Sequence, residues 1–313
     1  MLPRVLTLQM DYHKCLRTPK VSSQDGFYAR KLRTNLFGIY CANEDIIHCF
    51  FYDESIGGSG PNEVISLLNY LLKSLQEKHG RFHHLILWAD NSPAQFKECY
   101  LFFYLDHLVR KGDFLRVDLK FLLEGHSFSI CDRRFGCIQQ FFNTKEKIET
   151  PQEWETTLRN RRLNNVRSYW VNLDWIMNYK RFLRMKYIAR SEDIEHEKFE
   201  VRKIAFINFG SGEITDQEEN LQLSWHPETP FIRFTMDTKE KPRLVSFLKK
   251  KQGVERLNAA EHLVPVRLEK KPIRVDVKQD CIKLAQKYLS ETAKRFYDSL
   301  PASSDRDADD DND

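Results

Sequence analysis

Seven cysteines in 313 residues, none in a CxxC pair, indicate neither a disulfide framework nor a zinc finger. No apolar run approaches the roughly 18 residues of a membrane span; the stretch around Tyr100 to Tyr104 is as apolar as the chain becomes. Internal repeats are absent. Gly57-Gly58-Ser59-Gly60 lacks both the P-loop lysine and the dinucleotide-binding spacing, so no small-molecule cofactor of that kind is expected. With no charged-then-apolar leader in view, free thiols, an intracellular protein and no membrane partner are the expectation.

What is present is charge, unevenly placed. The net of +4 includes the segment Ser304 to Asp313, which holds six Asp against one Arg and leaves 48 basic and 39 acidic groups elsewhere. A run of that composition is expected to be a disordered acidic tail, residues 304–313. Between Arg159 and Arg190 nine Lys or Arg face the single acid Asp174, which points to a polyanionic partner.

Hydrophobic period predicts alternating strands and helices through residue 150. Strands are expected at Val5 to Met10, Asn35 to Cys41, Ile46 to Tyr52, Leu85 to Ala89 and Val117 to Leu123. Helices are expected from Asn62 to Gly80, from Gln95 to Lys111 and from Asp132 to Phe142. Beyond a soft boundary near Thr150, residues 151–303 read as a smaller appended α+β region. Its predicted elements are a helix from Pro151, a helix over Trp175 to Ala189, strands at Lys203 to Asn208, Leu221 to Trp225 and Phe231 to Met236, and a helix over Val275 to Leu300.

Three strands, a helix, a strand, a helix, a strand and a last helix form the plan of ribonuclease H-like nucleases, an α/β fold with a mixed five-stranded sheet of order 3-2-1-4-5. In that order the first and fourth strands are neighbours, so Asp11 and Asp90 emerge side by side, and Asp132 arrives on the last helix. Crowded carboxylates repel one another unless a cation neutralises them, and all-oxygen ligation favours Mg²⁺ or Mn²⁺. Two such ions about 4 Å apart would support in-line attack on a phosphodiester. Glu63 on the first turn of the helix after the third strand is a further acid, with Glu54 and Glu124 as rivals, and His126 is a proton carrier or substrate contact. Each has an ordinary alternative: Asp90 and Asp132 as turn or capping residues, Asp11 as a solvated strand end, Glu63 as a first-turn acid, His126 as a turn histidine. Their conjunction at the positions one architecture requires favours the nuclease reading.

The segments Met10-Asp11, Tyr28-Ala29-Arg30-Lys31-Leu32, Tyr52-Asp53-Glu54, Gly60-Pro61-Asn62-Glu63-Val64, Asp90 to Lys97 and Gly125 to Gly136 resemble an uncharacterised animal family of transposon-associated proteins. Its core is similar to a ribonuclease H-like transposase or integrase domain. The resemblance implies DNA cleavage and strand transfer, with Asp11, Asp90 and Asp132 as metal-binding and catalytic acids and Glu63, Gln95 and His126 as motif residues. Members carry a long region before the first acid strand, whereas this sequence opens ten residues ahead of Asp11. The alternative expectation is therefore a catalytically inactive, transposon-derived module that binds nucleic acid or protein.

Arg161, Arg162, Arg167, Lys180, Arg181 and Arg184, interleaved with Tyr169, Trp170, Trp175, Tyr179, Phe182 and Tyr187, suit phosphate neutralisation with base stacking, and Gln95 and Lys97 join them as nucleic-acid contacts. The alternative is that the aromatics pack this region onto the core while the long cations cover its outer face. DNA is the expected partner, a homo-oligomer is compatible with it, and Lys249-Lys250-Lys251 is a candidate nuclear-import signal.

Overall fold

The computed structural model describes residues 4–92, 96–122, 129–210, 229–249 and 263–304. At its centre strand β1 (Val5–Tyr12) pairs antiparallel with β3 (Leu32–Cys41), and β3 pairs antiparallel with β4 (Ile46–Asp53). On its other side β1 lies parallel to β5 (His84–Ala89), which lies parallel to β6 (Arg116–Phe121). Strands β1, β4, β5 and β6 therefore run the same way and end at one edge of the sheet. The chain is an α/β protein with helices flanking a mixed sheet.

Alternation along β1 divides the molecule. Leu6, Leu8 and Met10 are buried in the larger core with helices α2 (Pro61–His79) and α3 (Cys99–Lys111). Gln9 and Asp11 take the opposite face, where α4 (Ile130–Asn143) and α5 (Pro151–Asn160) pack with Leu36, Cys49 and Phe51. The leucine stripe of α2 reads as expected, but Gly60 occupies the N-cap position and Pro61 opens the helix, its fixed φ suiting the first turn. Ser129, rather than Asp132, caps α4. Strand β5 is fully buried only at Leu85, Leu87 and Ala89; Ile86 and Trp88 are half-buried, and Lys120 Nζ lies 5.2 Å from the Trp88 ring centroid.

The sheet does not stop at five strands. Among the described residues it has ten, because β7 (Val166–Trp170) adds parallel to β4 and β8 (Phe206–Phe209) adds antiparallel to β6. Beyond β8 come β9 (Phe231–Arg233) and β10 (Arg243–Leu244). Residues on both sides of Thr150 share the larger core: Val171, Tyr179, Leu183, Ile207 and Phe247 are buried in it with Leu8 and Leu68. The short β2 (Leu16–Thr18) and α1 (Gln24–Tyr28) carry too few residues for a period to show in sequence.

Where one helix is expected over Trp175 to Ala189, the structure has a 3₁₀ turn, Leu173–Trp175, and the six-residue α6 (Tyr179–Arg184). The predicted helix Val275 to Leu300 is two helices, Val275–Tyr288 and Glu291–Ser299, broken at Ser290, whose hydroxyl accepts from Ala293 N and starts the second. The predicted strand Leu221 to Trp225 and residues 305–313 of the acidic tail lie outside the described residues. Among the described residues no helix is long and apolar enough to cross a membrane.

Candidate acidic site

Met10 pairs with Ala89 at the end of the parallel β1–β5 ladder, so the residues that follow, Asp11 in β1 and Asp90 just past β5, stand at the same edge of the sheet. Asp11 is half-buried, and Asp90 is exposed just beyond β5. Asp132 stands exposed in the first turn of α4.

Contacts from β1 and β3 fix that turn. Gln9, two residues before Asp11 and on the same face, accepts the Ile130 N–H on its side-chain oxygen at 2.9 Å, and its carbonyl accepts the Cys131 thiol at 3.3 Å. Ser129 Oγ accepts the Asp132 N–H at 3.2 Å. One turn on, the Phe135 ring covers Gly38, the antiparallel partner of Asp11. A Cβ on Gly38 would lie 2.5 Å from that ring, so only glycine lets the helix approach this closely.

The electrostatics show that the three carboxylates share a neighbourhood. Burial, then the charge of Asp132, then that of Asp90 push the Asp11 carboxyl up to about 7, opposed by the Tyr12 N–H that it accepts at 2.7 Å. None of the three has an ion-pair partner among the described residues. Crowded acids without a protein cation fit a hard divalent ion in donor chemistry. Among the described residues, however, no three His, Cys, Asp or Glu groups stand together closely enough to hold a metal. Pro93 to Gln95 and Leu123 to Phe128, and with them Gln95, Glu124 and His126, lie outside the described residues.

Glu63 is not brought to this cluster. It is buried on the α2 face, where its Oε1 accepts the Gly58 N–H at 3.0 Å and its charge acts on Tyr12 and Tyr52. The glycine loop thus wraps a carboxylate: a Cβ on Gly57 would lie 2.8 Å from Glu63 Oε1. Glu54 is engaged by Arg33, whose backbone N–H and Nε donate at 2.7 and 3.1 Å.

His13 is a neighbour of the site that sequence reasoning missed. It follows Asp11 by two residues, and its N–H bonds to the Leu36 carbonyl at 2.9 Å, continuing the β1 ladder. Its ring stands edge-on to Phe135 at 5.3 Å, with Nδ1 closed off from solvent and lacking a hydrogen bond of ordinary geometry. Burial holds the imidazole toward the neutral form, against the Lys14 backbone and the Asp132 charge. The i, i+2 spacing was the available signal.

The basic segment behaves differently from the expectation. Its aromatics are packed: Trp175 stacks on Tyr70 at 4.3 Å, Tyr169 on Phe50 at 4.9 Å and Tyr187 on Phe103 at 5.3 Å. Tyr179 is buried and Phe182 half-buried against the same core, so these five are not free for base stacking in the way the composition suggested, whereas half-buried Trp170 lines a cavity. Arg161, Arg162, Arg167, Arg181 and Arg184 remain exposed, with Arg161 4.2 Å above the Phe141 ring. Lys180 is half-buried, 5.8 Å from the Tyr100 ring centroid. Lys97 is buried, donating to the Arg202 carbonyl over the Phe121 ring, which removes it as a surface contact.

A family model described as a domain of unknown function, DUF7869, matches residues 24–205. No curated protein and no solved structure matches the chain.

Proposed function

The chain belongs to the DUF7869 family, a domain of unknown function, and we propose that its strand-edge aspartates serve metal-dependent phosphodiester chemistry on DNA in the manner of a ribonuclease H-like, transposon-derived nuclease. The observation that carries this reading is the placement of three acids from distant parts of the chain at one edge of the sheet, Asp11 and Asp90 after the paired Met10 and Ala89 and Asp132 on the α4 turn held against Gln9. The strand order β4-β3-β1-β5-β6 supports it, since a ribonuclease H-like core has that order. The motif resemblance adds the transposon setting, and residence in the nucleus follows from a DNA substrate.

On this reading Asp11, Asp90 and Asp132 would hold Mg²⁺ or Mn²⁺, which when bound would supply activation of a water or hydroxyl and stabilisation of the departing oxygen. Gln9 and Gly38 position Asp132 by holding α4, and exposed Arg161, Arg162 and Arg167 neutralise phosphates. A second reading, a catalytically silent binding module, is favoured by the lack of a three-donor group among the described residues.

Cleavage of labelled single- and double-stranded DNA with Mg²⁺ or Mn²⁺ tests the choice. The nuclease reading expects metal-dependent cleavage that Asp11→Asn, Asp90→Asn and Asp132→Asn each abolish. A folded chain that binds DNA without cleaving it supports the second reading.

A further inference from the structure

At the same edge of the sheet as the aspartates lies a cavity of about 700 Å³ that the acidic site does not use. Its wall includes Trp170, the last residue of β7, with Asn172 beyond it, Gln152 at the start of α5, Arg267, Lys270, and Phe296 of the helix Glu291–Ser299. Because β7 is parallel to β4, and β4 runs as β1 does, Trp170 and Asp11 end strands at the same edge. Helix α5 packs on the same face as α4.

We propose that this cavity is a nucleotide subsite, taking a base on its aromatic wall and a phosphate on its cations; the proposal rests on the nucleic-acid reading above. Three features carry it. The volume suits a small ligand, within the roughly 300–1,000 Å³ of ordinary binding pockets. Lys270 Nζ lies 5.0 Å from the Phe296 ring centroid, so charge and aromatic surface are presented together. Arg267 and Lys270 outnumber the single acid in the wall, Asp174, and the amides of Asn172 and Gln152 offer both donors and acceptors to a base edge.

The placement also fits one continuous strand. From β1 to β7 the sheet steps through β3 and β4, which at about 4.8 Å per step is roughly 14 Å. That is a distance a single strand covers in a few nucleotides. A single strand lying across the aspartates would then deliver a nucleotide a few positions from the reacting phosphate into the cavity, anchoring register without touching the chemistry.

The test is binding of a labelled single-stranded oligonucleotide by anisotropy, with adenosine monophosphate titrated calorimetrically alongside. Trp170→Ala and Lys270→Ala should each weaken oligonucleotide binding about tenfold, while Lys73→Ala, at an exposed cation of α2 outside both sites, leaves it within twofold. Because Trp170 is half-buried, Lys270→Ala with an unchanged melting temperature is the decisive variant. Unaltered affinity in that variant overturns the subsite, even if metal-dependent cleavage is observed. Binding of the mononucleotide alone, lost in Lys270→Ala, upholds the cavity as a nucleotide site while counting against the nucleic-acid reading. Absence of binding by both probes overturns the proposal.

Discussion

Two aspartates on this sheet, Asp11 and Asp118, are held by opposite environments. Asp118 on β6 is buried among donors: His84 Nε2 lies at 3.0 Å, Arg116 Nε and Nη2 donate at 3.1 and 3.0 Å, and Asn208 Nδ2 donates at 2.6 Å. Burial raises its carboxyl, but those bonds and the Arg116 charge outweigh it and hold the group below the usual carboxylate range. Asp11 has burial on the same side of the balance, and its neighbouring charges are two further carboxylates. A buried acid that structure alone requires is given partners; one surrounded by acids is held by the fold at a cost that a bound cation would offset.

The largest expected effect lies on the satisfied side of that comparison. Asp118→Ala strands Arg116, His84 and Asn208 and should cost about 3–5 kcal/mol in denaturant unfolding. Asp11→Asn should leave stability unchanged or raise it near neutral pH. Equal losses for the two would erase the distinction.

Next is Gly38→Ala, which drives a methyl into the Phe135 ring and should cost about 1–3 kcal/mol. By displacing α4 it should also bring the Asp11 carboxyl back toward its ordinary range, read by carboxyl NMR titration.

A smaller effect is the pH dependence. The folded pKa of Asp11, about 7, lies above its unfolded value, so the folded state holds the extra proton. That contribution to stability is complete below the unfolded pKa and is lost as pH rises through about 7. Asp118 has the opposite sign, its contribution present at neutral pH and lost as pH falls through its depressed folded pKa. His48 and His107, held toward the neutral form by burial, oppose the Asp11 contribution on acidification, so the readout is a difference: the melting temperature relative to that of Asp11→Asn should rise from pH 8 toward 5. A difference that does not change with pH would assign the proton to another group.

Smallest in stability, within about 0.5 kcal/mol, are charge reversals at exposed Arg161, Arg162 and Arg167. Their readout is DNA affinity, where each lost phosphate contact should reduce the salt slope by about 0.9. Unchanged affinity and slope would remove this patch from the binding surface.

The acids were legible in sequence because strand ends are marked by where an apolar run stops, and register carries that mark into space. Met10 and Ala89 end two such runs and pair across the ladder, which puts the residues after them at one edge of the sheet. Contiguity in sequence misled elsewhere. Between Arg159 and Arg190 the chain passes through a strand, a 3₁₀ turn and a short helix, which sends Trp175 and Tyr187 inward and leaves Arg161 and Arg184 outside. Composition reports which residues are near in sequence and is silent on which way each one faces. Glu63 sits where its first-turn position predicts, but α2 lies on the face of the sheet opposite α4 and its carboxylate takes the Gly58 N–H, neither of which that position reports. The edge strands were missed as part of the main sheet because β7 joins β4, and β8 joins β6, from far along the chain, and such long-range pairing leaves no local period; β9 and β10 follow β8.

Calorimetric titration of the folded chain with Mn²⁺ reads the proposed divalent-cation site at Asp11, Asp90 and Asp132 without relying on cleavage. Saturable binding is expected, weakened by each single Asp→Asn substitution and lifting the melting temperature at pH 8. A folded chain that takes up no Mn²⁺, or whose Mn²⁺ affinity survives all three substitutions, would rule the site out.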